Sequence, residues 1–160
     1  MKQVKTVHRT GPENPAIKSL CFDSRLAGDG SAFFAIKGTQ TDGHAYISAA
    51  LKAGSAAVVC EKMPAHADPD VTCVQVPDSA SALGYASASF FDHPSEKLKL
   101  IGVTGTNGKT TIATLLHRLF TDAGHTSGLI STIRNLAGDR EFPATHTTPD
   151  PLQINSLLAE

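Results

Sequence analysis

A glycine-rich segment at residues 102–111 carries residue types that bind phosphate. It reads Gly-Val-Thr-Gly-Thr-Asn-Gly-Lys-Thr-Thr. Glycines let backbone N–H groups converge on phosphate oxygens without side-chain collision. Lys109 can reach the outer phosphates of a nucleotide, and the Thr110 hydroxyl can coordinate magnesium. The segment therefore predicts a site for a nucleoside triphosphate and Mg²⁺, but it does not specify what accepts the phosphoryl group.

The glycine spacing departs from that of a standard phosphate loop. The standard loop places four residues between its first glycine and Gly-Lys, which would require glycine at Val103. Gly102 instead lies one position too early, and Gly105 stands in the middle of the loop. The alternative is a strand-to-helix turn whose lysine is only solvated. The coincidence of strand, Gly-Lys-Thr and helix start favours phosphate binding, while Thr111 fits a second phosphate contact or an ordinary early helix residue.

The elements around the loop are those that such a site needs. An apolar run predicts a strand over 98–103, and an amphipathic pattern predicts a helix over 110–122, whose N-terminal dipole would face the phosphate. A further strand is expected over 126–131, and residues 133–142 fit a hairpin. Pro149-Asp150-Pro151 then introduces a last helical run through Leu158.

The first half of the chain also alternates short strands with helices, which indicates an α/β fold. Its predicted elements are strands over 32–36, 56–60 and 71–76, and helices over 44–53 and 80–91. The polar segment 92–97 contains Pro94 and fits an interdomain linker, or else a surface loop. We therefore expect two domains, 1–95 and 96–160, the second being the incomplete start of a phosphate-loop domain.

Composition excludes several classes of function. The 160 residues carry a net charge of −1, so a broad basic surface for nucleic acid is not expected. Apolar runs are shorter than the ~20 residues that span a bilayer, and the polar start lacks an export signal, which predicts a cytoplasmic protein. The 3 cysteines form no close pair, and the 7 histidines have no ligand spacing, so reduced thiols and no zinc site are expected.

Three ordered motifs resemble one family. The loop Gly105-Thr106-Asn107-Gly108-Lys109-Thr110-Thr111 resembles the ATP loop of the Mur ligases, whose variant glycine spacing accounts for Val103. A second group of residues is similar to the N-terminal uridine-nucleotide domain of MurE-type and MurF-type members. It comprises Asp23-Ser24-Arg25, Gly30, Phe33, Ala35, Gly38 and Asp42-Gly43-His44. Thr147-Thr148-Pro149-Asp150 is similar to a signature of the MurE type. The resemblance covers about residues 19–160.

The resemblance implies a role for each matching position. ATP would be held by Gly105, Thr106, Asn107, Gly108, Lys109, Thr110 and Thr111, with Lys109 catalytic and Thr110 on Mg²⁺. The uridine diphosphate would contact Phe22, Ser24, Thr39, Gln40 and Thr41. Thr147 and Thr148 would contact the muramoyl-dipeptide, although they also fit a helix-start turn capped by Asp150. Arg25 would pair with Asp23 or with substrate, and we favour the salt bridge.

The resemblance also implies a reaction. Members of this type are ATP-dependent ligases that add diaminopimelate or L-lysine to UDP-N-acetylmuramoyl-L-alanyl-D-glutamate through an acyl phosphate. A modified lysine, acidic magnesium ligands and the domain that selects the amino acid would lie beyond Glu160, so we expect an N-terminal portion, monomeric and inactive alone. The alternatives are a non-catalytic UDP-sugar and ATP-binding module, or another phosphate-loop kinase or NTPase.

Overall fold

The computed structural model describes residues 4–39, 41–65, 68–143 and 149–160. The chain forms two compact units, Met1–Ser87 and Ala88–Glu160. The first contains a mainly parallel sheet with helices, and the second contains helices with a small antiparallel sheet. The predicted α/β class is confirmed. No helix among these described residues is long and apolar enough to cross a membrane.

The first unit is built on a five-stranded sheet in the order β1-β5-β4-β3-β2. Its strands are β1 His8–Thr10, β2 Ser19–Cys21, β3 Ser31–Phe34, β4 Ala57–Cys60 and β5 Thr72–Gln75. Strands β2 to β5 are parallel, and β1 pairs antiparallel with β5 at one edge. The predicted strands correspond to β3, β4 and β5, whereas the two edge strands were not predicted.

Two helices accompany this sheet. A 3-10 turn at Gly43–Tyr46 leads into α1 Ile47–Lys52, so the helix predicted over 44–53 begins as a tighter turn. Gly54 follows α1 with a φ of +101°, a conformation that favours glycine and ends the helix. The second helix, α2 Ser79–Phe90, matches the helix predicted over 80–91.

The core of the first unit crosses the parallel strands in one row. Cys21, Phe33, Val58 and Cys73 are register partners on neighbouring strands, and each is at most 4% exposed. Ile47 and Ala50 of α1 and Cys60 of β4 belong to the same cluster. Strands β3 and β4 are buried at every position, as expected when both faces of a parallel sheet are covered. All three cysteines are free and buried, although the sequence predicted only that they would be reduced.

The second unit contains two helices and a three-stranded antiparallel sheet in the order β6-β7-β8. Its elements are α3 Lys109–Asp122, β6 Gly128–Ile130, β7 Asn135–Ala137, β8 Arg140–Phe142 and α4 Pro151–Ala159. The predicted hairpin is β7–β8, and Gly138 turns it with a φ of +56°. The helices predicted after Gly108 and after Asp150 are confirmed.

The strand predicted over 98–103 does not form, and that prediction is wrong for this structure. A strand exists through its hydrogen bonds to a neighbour, and neither sheet of the described chain includes these residues. Leu98, Leu100 and Ile101 are 48%, 60% and 58% exposed. The apolar run therefore has the composition of a buried strand without a partner to pair with.

Candidate functional site

Glycine backbone conformations shape the phosphate loop of the second unit. Gly105 has a φ of +149° and Gly108 a φ of +79°, values that side chains disfavour. Gly108 is the N-cap of α3, and its carbonyl accepts from the Ile112 N–H at 2.9 Å. The loop thus ends at a helix N-terminus, where free N–H groups and the helix dipole favour an anion.

The Lys109 side chain folds back over this loop. Its Nζ donates to the carbonyl oxygen of Gly105 at 2.6 Å and lies 3.4 Å from that of Thr106. The ammonium group is exposed, so phosphate oxygens can replace these carbonyls as its partners. The structure places a positive charge over the loop between Gly105 and the start of α3.

Two threonines follow the lysine and differ in their surroundings. Thr110 is half-buried, and its Oγ1 lies 3.4 Å from Oγ1 of Thr132, which follows β6. Thr111 is exposed. The described residues hold no group of three or more His, Cys, Asp or Glu side chains that could bind a metal. A hydroxyl fits the oxygen preference of Mg²⁺, and nucleotide phosphates supply the other oxygens such a site needs.

The substrate candidates of the first unit follow two adjacent parallel strands. Phe22 and Ser24 come directly after β2, and the turn with Thr39 and Thr41 comes after β3. Ligands of open α/β sheets bind outside the carboxyl ends of the strands, where both segments lie. Phe22 is 40% exposed and Ser24 is half-buried. Thr39 and Thr41 are exposed, whereas Gln40 lies outside the described residues.

Arg25 pairs with Asp23, the alternative that the sequence favoured. Its Nη2 donates to Asp23 Oδ2 at 2.6 Å and its Nε to Oδ1 at 2.9 Å. The same carboxylate accepts from the Arg25 backbone N–H at 2.9 Å. The guanidinium hydrogen bonds hold the pKa of Asp23 below its ordinary value. The pair fixes the 3-10 turn Ser24–Leu26 and hence the position of Ser24.

The turn after β3 is closed by backbone hydrogen bonds. Lys37 and Asp42 form an antiparallel bridge, and the Gly38 N–H donates to the Thr41 carbonyl at 2.9 Å. The Gly43 N–H donates to the Ile36 carbonyl, also at 2.9 Å. A Cβ atom on Gly43 would lie 2.7 Å from both N and O of Ile36, so only glycine fits there.

The predicted dipeptide contacts Thr147 and Thr148 lie outside the described residues. The residues that follow them form the helix start that was their alternative role. Asp150 Oδ1 accepts from the N–H groups of Leu152 at 2.8 Å and Gln153 at 3.0 Å. The predicted Asp150 cap is therefore confirmed, and the role of the two threonines stays a prediction.

Sequence reasoning missed two histidine arrangements. His44 belongs to the Asp42-Gly43-His44 motif but received no role, and its ring bonds to residues 17 and 18 positions away. Ser127 Oγ lies 2.7 Å from His117 Nδ1 and 3.0 Å from Thr121 Oγ1. The second arrangement ties the end of α3 to the segment before β6 and so supports the element that carries Lys109. The bonds of His44 to Glu61 and Lys62 and of Ser127 to His117 join residues far apart in sequence, so no local pattern signals them.

Two family models match the chain. Residues 16–95 match the model described as "Mur ligase family, catalytic domain", and residues 103–160 match the "Mur ligase middle domain". The chain belongs to the Mur ligase family. The resemblance drawn from the motifs is confirmed.

Curated relatives that match nearly the whole chain share one ligase name. Proteins named UDP-N-acetylmuramoyl-L-alanyl-D-glutamate–2,6-diaminopimelate ligase from Cytophaga hutchinsonii and Bacteroides fragilis are 47% and 49% identical to it, each over 99% of this chain. A protein of the same name from Clostridium acetobutylicum is 40% identical over 94% of this chain. The chain spans about a third of the length of these relatives, 33%, 33% and 31% respectively.

Solved structures agree with the fold of the family. A structure of a UDP-N-acetylmuramoyl-L-alanyl-D-glutamate–2,6-diaminopimelate ligase aligns with a TM-score of 0.70 at 27% identity, covering 89% of this chain and 29% of that one. The MurF ligase of Thermotoga maritima in complex with ADP aligns with a TM-score of 0.52 at 26% identity, covering 69% and 25%.

Proposed function

We propose that this chain supplies two nucleotide-recognition sites of an ATP-dependent ligase that adds diaminopimelate to UDP-N-acetylmuramoyl-L-alanyl-D-glutamate. The observation that carries the proposal is the 47–49% identity, over 99% of the chain, to relatives that bear this ligase name. The phosphate loop and the carboxyl edge of the first sheet are the two places where the geometry supports nucleotide binding.

The chemistry explains why the ligase needs ATP. A free carboxylate is a poor acyl donor, and the phosphoryl group of ATP converts it into an acyl phosphate that an amine can attack. Phosphoryl transfer depends mainly on positioning and on neutralising negative charge. In this chain that work falls to the backbone N–H groups at Gly105–Thr111, to the Lys109 ammonium, and to the Thr110 hydroxyl as a magnesium ligand.

We assign the site residues by segment. The phosphate-binding residues are Gly105, Thr106, Asn107, Gly108, Lys109, Thr110 and Thr111. The uridine diphosphate contacts are Phe22, Ser24, Thr39, Gln40 and Thr41, and the muramoyl-dipeptide contacts are Thr147 and Thr148. The matched segments 16–95 and 103–160 support domains that meet at about Ser95. The compact units divide earlier, between Ser87 and Ala88, because the end of α2 joins the second unit.

Lys109→Ala tests the ATP site. Titration calorimetry of the chain with MgATP and with UDP-N-acetylmuramoyl-L-alanyl-D-glutamate should show two independent binding events. Loss of the ammonium removes charge-assisted hydrogen bonds worth about 1.5–3 kcal/mol, so ATP affinity should fall at least about tenfold. Binding of the uridine nucleotide should not change. The matched control is Lys99→Ala, which removes an exposed lysine outside the loop.

Three outcomes would contradict the proposal. Unchanged ATP binding by Lys109→Ala would refute the role of the loop, and no binding of the uridine nucleotide would refute the first site. The ligase reaction is assayed separately on the whole product of the gene, whatever its length. If that product released no phosphate in the presence of ATP, the dipeptide substrate and diaminopimelate, it would be a binding module rather than a ligase.

A further inference from the structure

The His44 imidazole joins two segments at the carboxyl edge of the first sheet. Its Nδ1 lies 2.6 Å from Asp42 Oδ1. Its Nε2 lies 3.0 Å from the backbone nitrogen of Glu61 and 3.3 Å from that of Lys62, directly after β4. The His44 side chain is 14% exposed and that of Asp42 is 48% exposed, so the ring is largely covered while its carboxylate partner faces solvent.

The partners of the ring determine its tautomer. A backbone N–H can only donate, so Nε2 must accept with its lone pair and carries no proton. The ring proton therefore resides on Nδ1 and is donated to the Asp42 carboxylate. Asp42 also accepts from the His44 backbone N–H at 3.0 Å. The two hydrogen bonds from His44 lower the pKa of Asp42, which keeps its carboxylate ionised as the acceptor.

These contacts hold the turn that follows β3. Asp42 forms the bridge with Lys37 that closes the turn, and Gly43 fits only because it has no side chain. Through His44 the turn is tied to the segment after β4, the neighbour of β3 in the sheet. Asp42 and Gly43 thus close the turn, and His44 connects it to the end of β4.

We propose that His44, in its neutral Nδ1–H form, is a positioning residue for the uridine nucleotide. It holds the turn with Thr39 and Thr41 against the end of β4, so that the exposed hydroxyl groups are in place before the ligand arrives. This role rests on the proposed function, which assigns the uridine diphosphate to that turn. Without the connection, binding would have to order the turn, and that cost would weaken the affinity.

Two substitutions test the hydrogen bonds of Nδ1 and of Nε2 separately. His44→Asn keeps a donor near the Nδ1 position for Asp42 but does not reach Glu61 and Lys62. His44→Gln places an amide oxygen near the Nε2 position, where it can accept from those two N–H groups. We expect His44→Asn to raise the Kd for UDP-N-acetylmuramoyl-L-alanyl-D-glutamate about tenfold and His44→Gln about threefold at most. MgATP binding should not change, and His8→Asn, at an exposed position of β1, should resemble the wild type.

Nuclear magnetic resonance supplies the readouts that a general loss of stability would not produce. Long-range ¹H–¹⁵N correlation should show His44 protonated at Nδ1 and unprotonated at Nε2, a measurement that needs no variant. Amide exchange at Glu61 and Lys62 should accelerate in His44→Asn and stay slow in His44→Gln. A ring protonated at Nε2 would overturn the proposal even if a variant failed to fold.

The binding data distinguish this proposal from the one on which it rests. If the wild type binds the uridine nucleotide and His44→Asn binds it equally well while Glu61 and Lys62 exchange faster, the positioning role is wrong and the site stands. If the wild type does not bind that nucleotide or UDP, both the site and the positioning role are wrong.

Discussion

The two compact units differ in what their apolar side chains contact. In the first unit Phe33, Val58 and Leu83 are at most 1% exposed. In the second unit Leu115 and Leu119 on α3 are 58% and 62% exposed. Among the described residues of that unit, the buried apolar side chains are Leu129 and Pro94.

The comparison shows that an amphipathic pattern and a packed core are separate properties. The periodicity of α3 predicts its helix correctly, because three- and four-residue spacing puts Ile112, Leu115 and Leu119 on one face. Burial of that face needs another element to cover it, and the described part of the second unit leaves these side chains exposed. The candidate substrate edge of the first unit adjoins a packed core, whereas the candidate phosphate loop begins a helix that has no buried residue.

The same substitution made in each unit tests this difference most strongly. Leu83→Ala removes a side chain that is 1% exposed and should lower the free energy of unfolding by about 2–5 kcal/mol. Leu115→Ala removes one that is 58% exposed and should change it by about 0.5 kcal/mol or less. Both tyrosines, Tyr46 and Tyr85, lie in the first unit and the chain has no tryptophan, so tyrosine fluorescence follows its unfolding in urea.

The exposed leucine needs a readout in its own unit. Amide exchange along α3 should be the same in Leu115→Ala and in the wild type if solvent surrounds this side chain. Strong acceleration of exchange, at concentrations where the chain sediments as a monomer, would mean that Leu115 is packed and would break the comparison. A small effect of Leu83→Ala on the free energy of unfolding would also contradict the comparison, because it would mean that the first unit does not depend on this buried side chain.

Sequence patterns predicted the interior of the first unit better than its edges. Strands β3 and β4 were recognisable because burial on both faces requires an uninterrupted apolar run. The edge strands β1 and β2 have three residues each and are partly exposed, so their composition does not separate them from loops. The run at 98–103 shows the converse error, because strand-like composition does not supply a hydrogen-bonding neighbour.

The two candidate sites also differ in how much of their geometry the local sequence predicts. Glycine spacing and Gly-Lys-Thr predicted a loop before a helix at the candidate phosphate site, and the positive φ angles at Gly105 and Gly108 are local properties of such a loop. The connection from His44 to Glu61 joins positions 17 residues apart and depends on β3 and β4 lying side by side. The sequence contains the Asp42-Gly43-His44 motif, but the hydrogen bonds from His44 to the segment after β4 are visible only in the folded sheet.

A pH titration extends the comparison to the buried thiols, all of which lie in the first unit. Burial raises the pKa of Cys60 to about 11, and nearby Cys73 adds to the effect. The folded state therefore favours the protonated thiol, and this contribution is present below the ordinary thiol pKa and lost as the pH rises toward 11. The loss attributable to Cys60 should be on the order of 2 kcal/mol.

Urea unfolding followed by far-ultraviolet circular dichroism at pH 8 and at pH 10.5 measures this loss, because ionisation quenches tyrosine fluorescence above about pH 10. Cys60→Ala serves as the comparison, and its stability should fall less steeply over the same interval, with the remaining slope due to other groups. Equal slopes for the two proteins would show that Cys60 does not titrate differently in the folded and unfolded states.

The smallest expected effects concern two aspartate caps, one in each unit. Asp78 accepts from the N–H groups of Ala80 at 2.9 Å and Ser81 at 3.0 Å at the start of α2, whose inner face is buried. Asp150 caps α4, which has no buried residue. Asp78→Ala should lower the free energy of unfolding of the first unit by about 1 kcal/mol, because α2 unfolds together with its core.

Asp150→Ala should leave that transition unchanged and act locally. Its helix is not locked by a core, so loss of the cap should fray the first turn and accelerate amide exchange of Leu152 and Gln153 about fivefold. If Asp150→Ala instead lowered the stability of the first unit as much as Asp78→Ala does, the two units would unfold as one. The stability of α4 would then depend on that of the first unit, and the two units would differ only in the exposure of their apolar side chains.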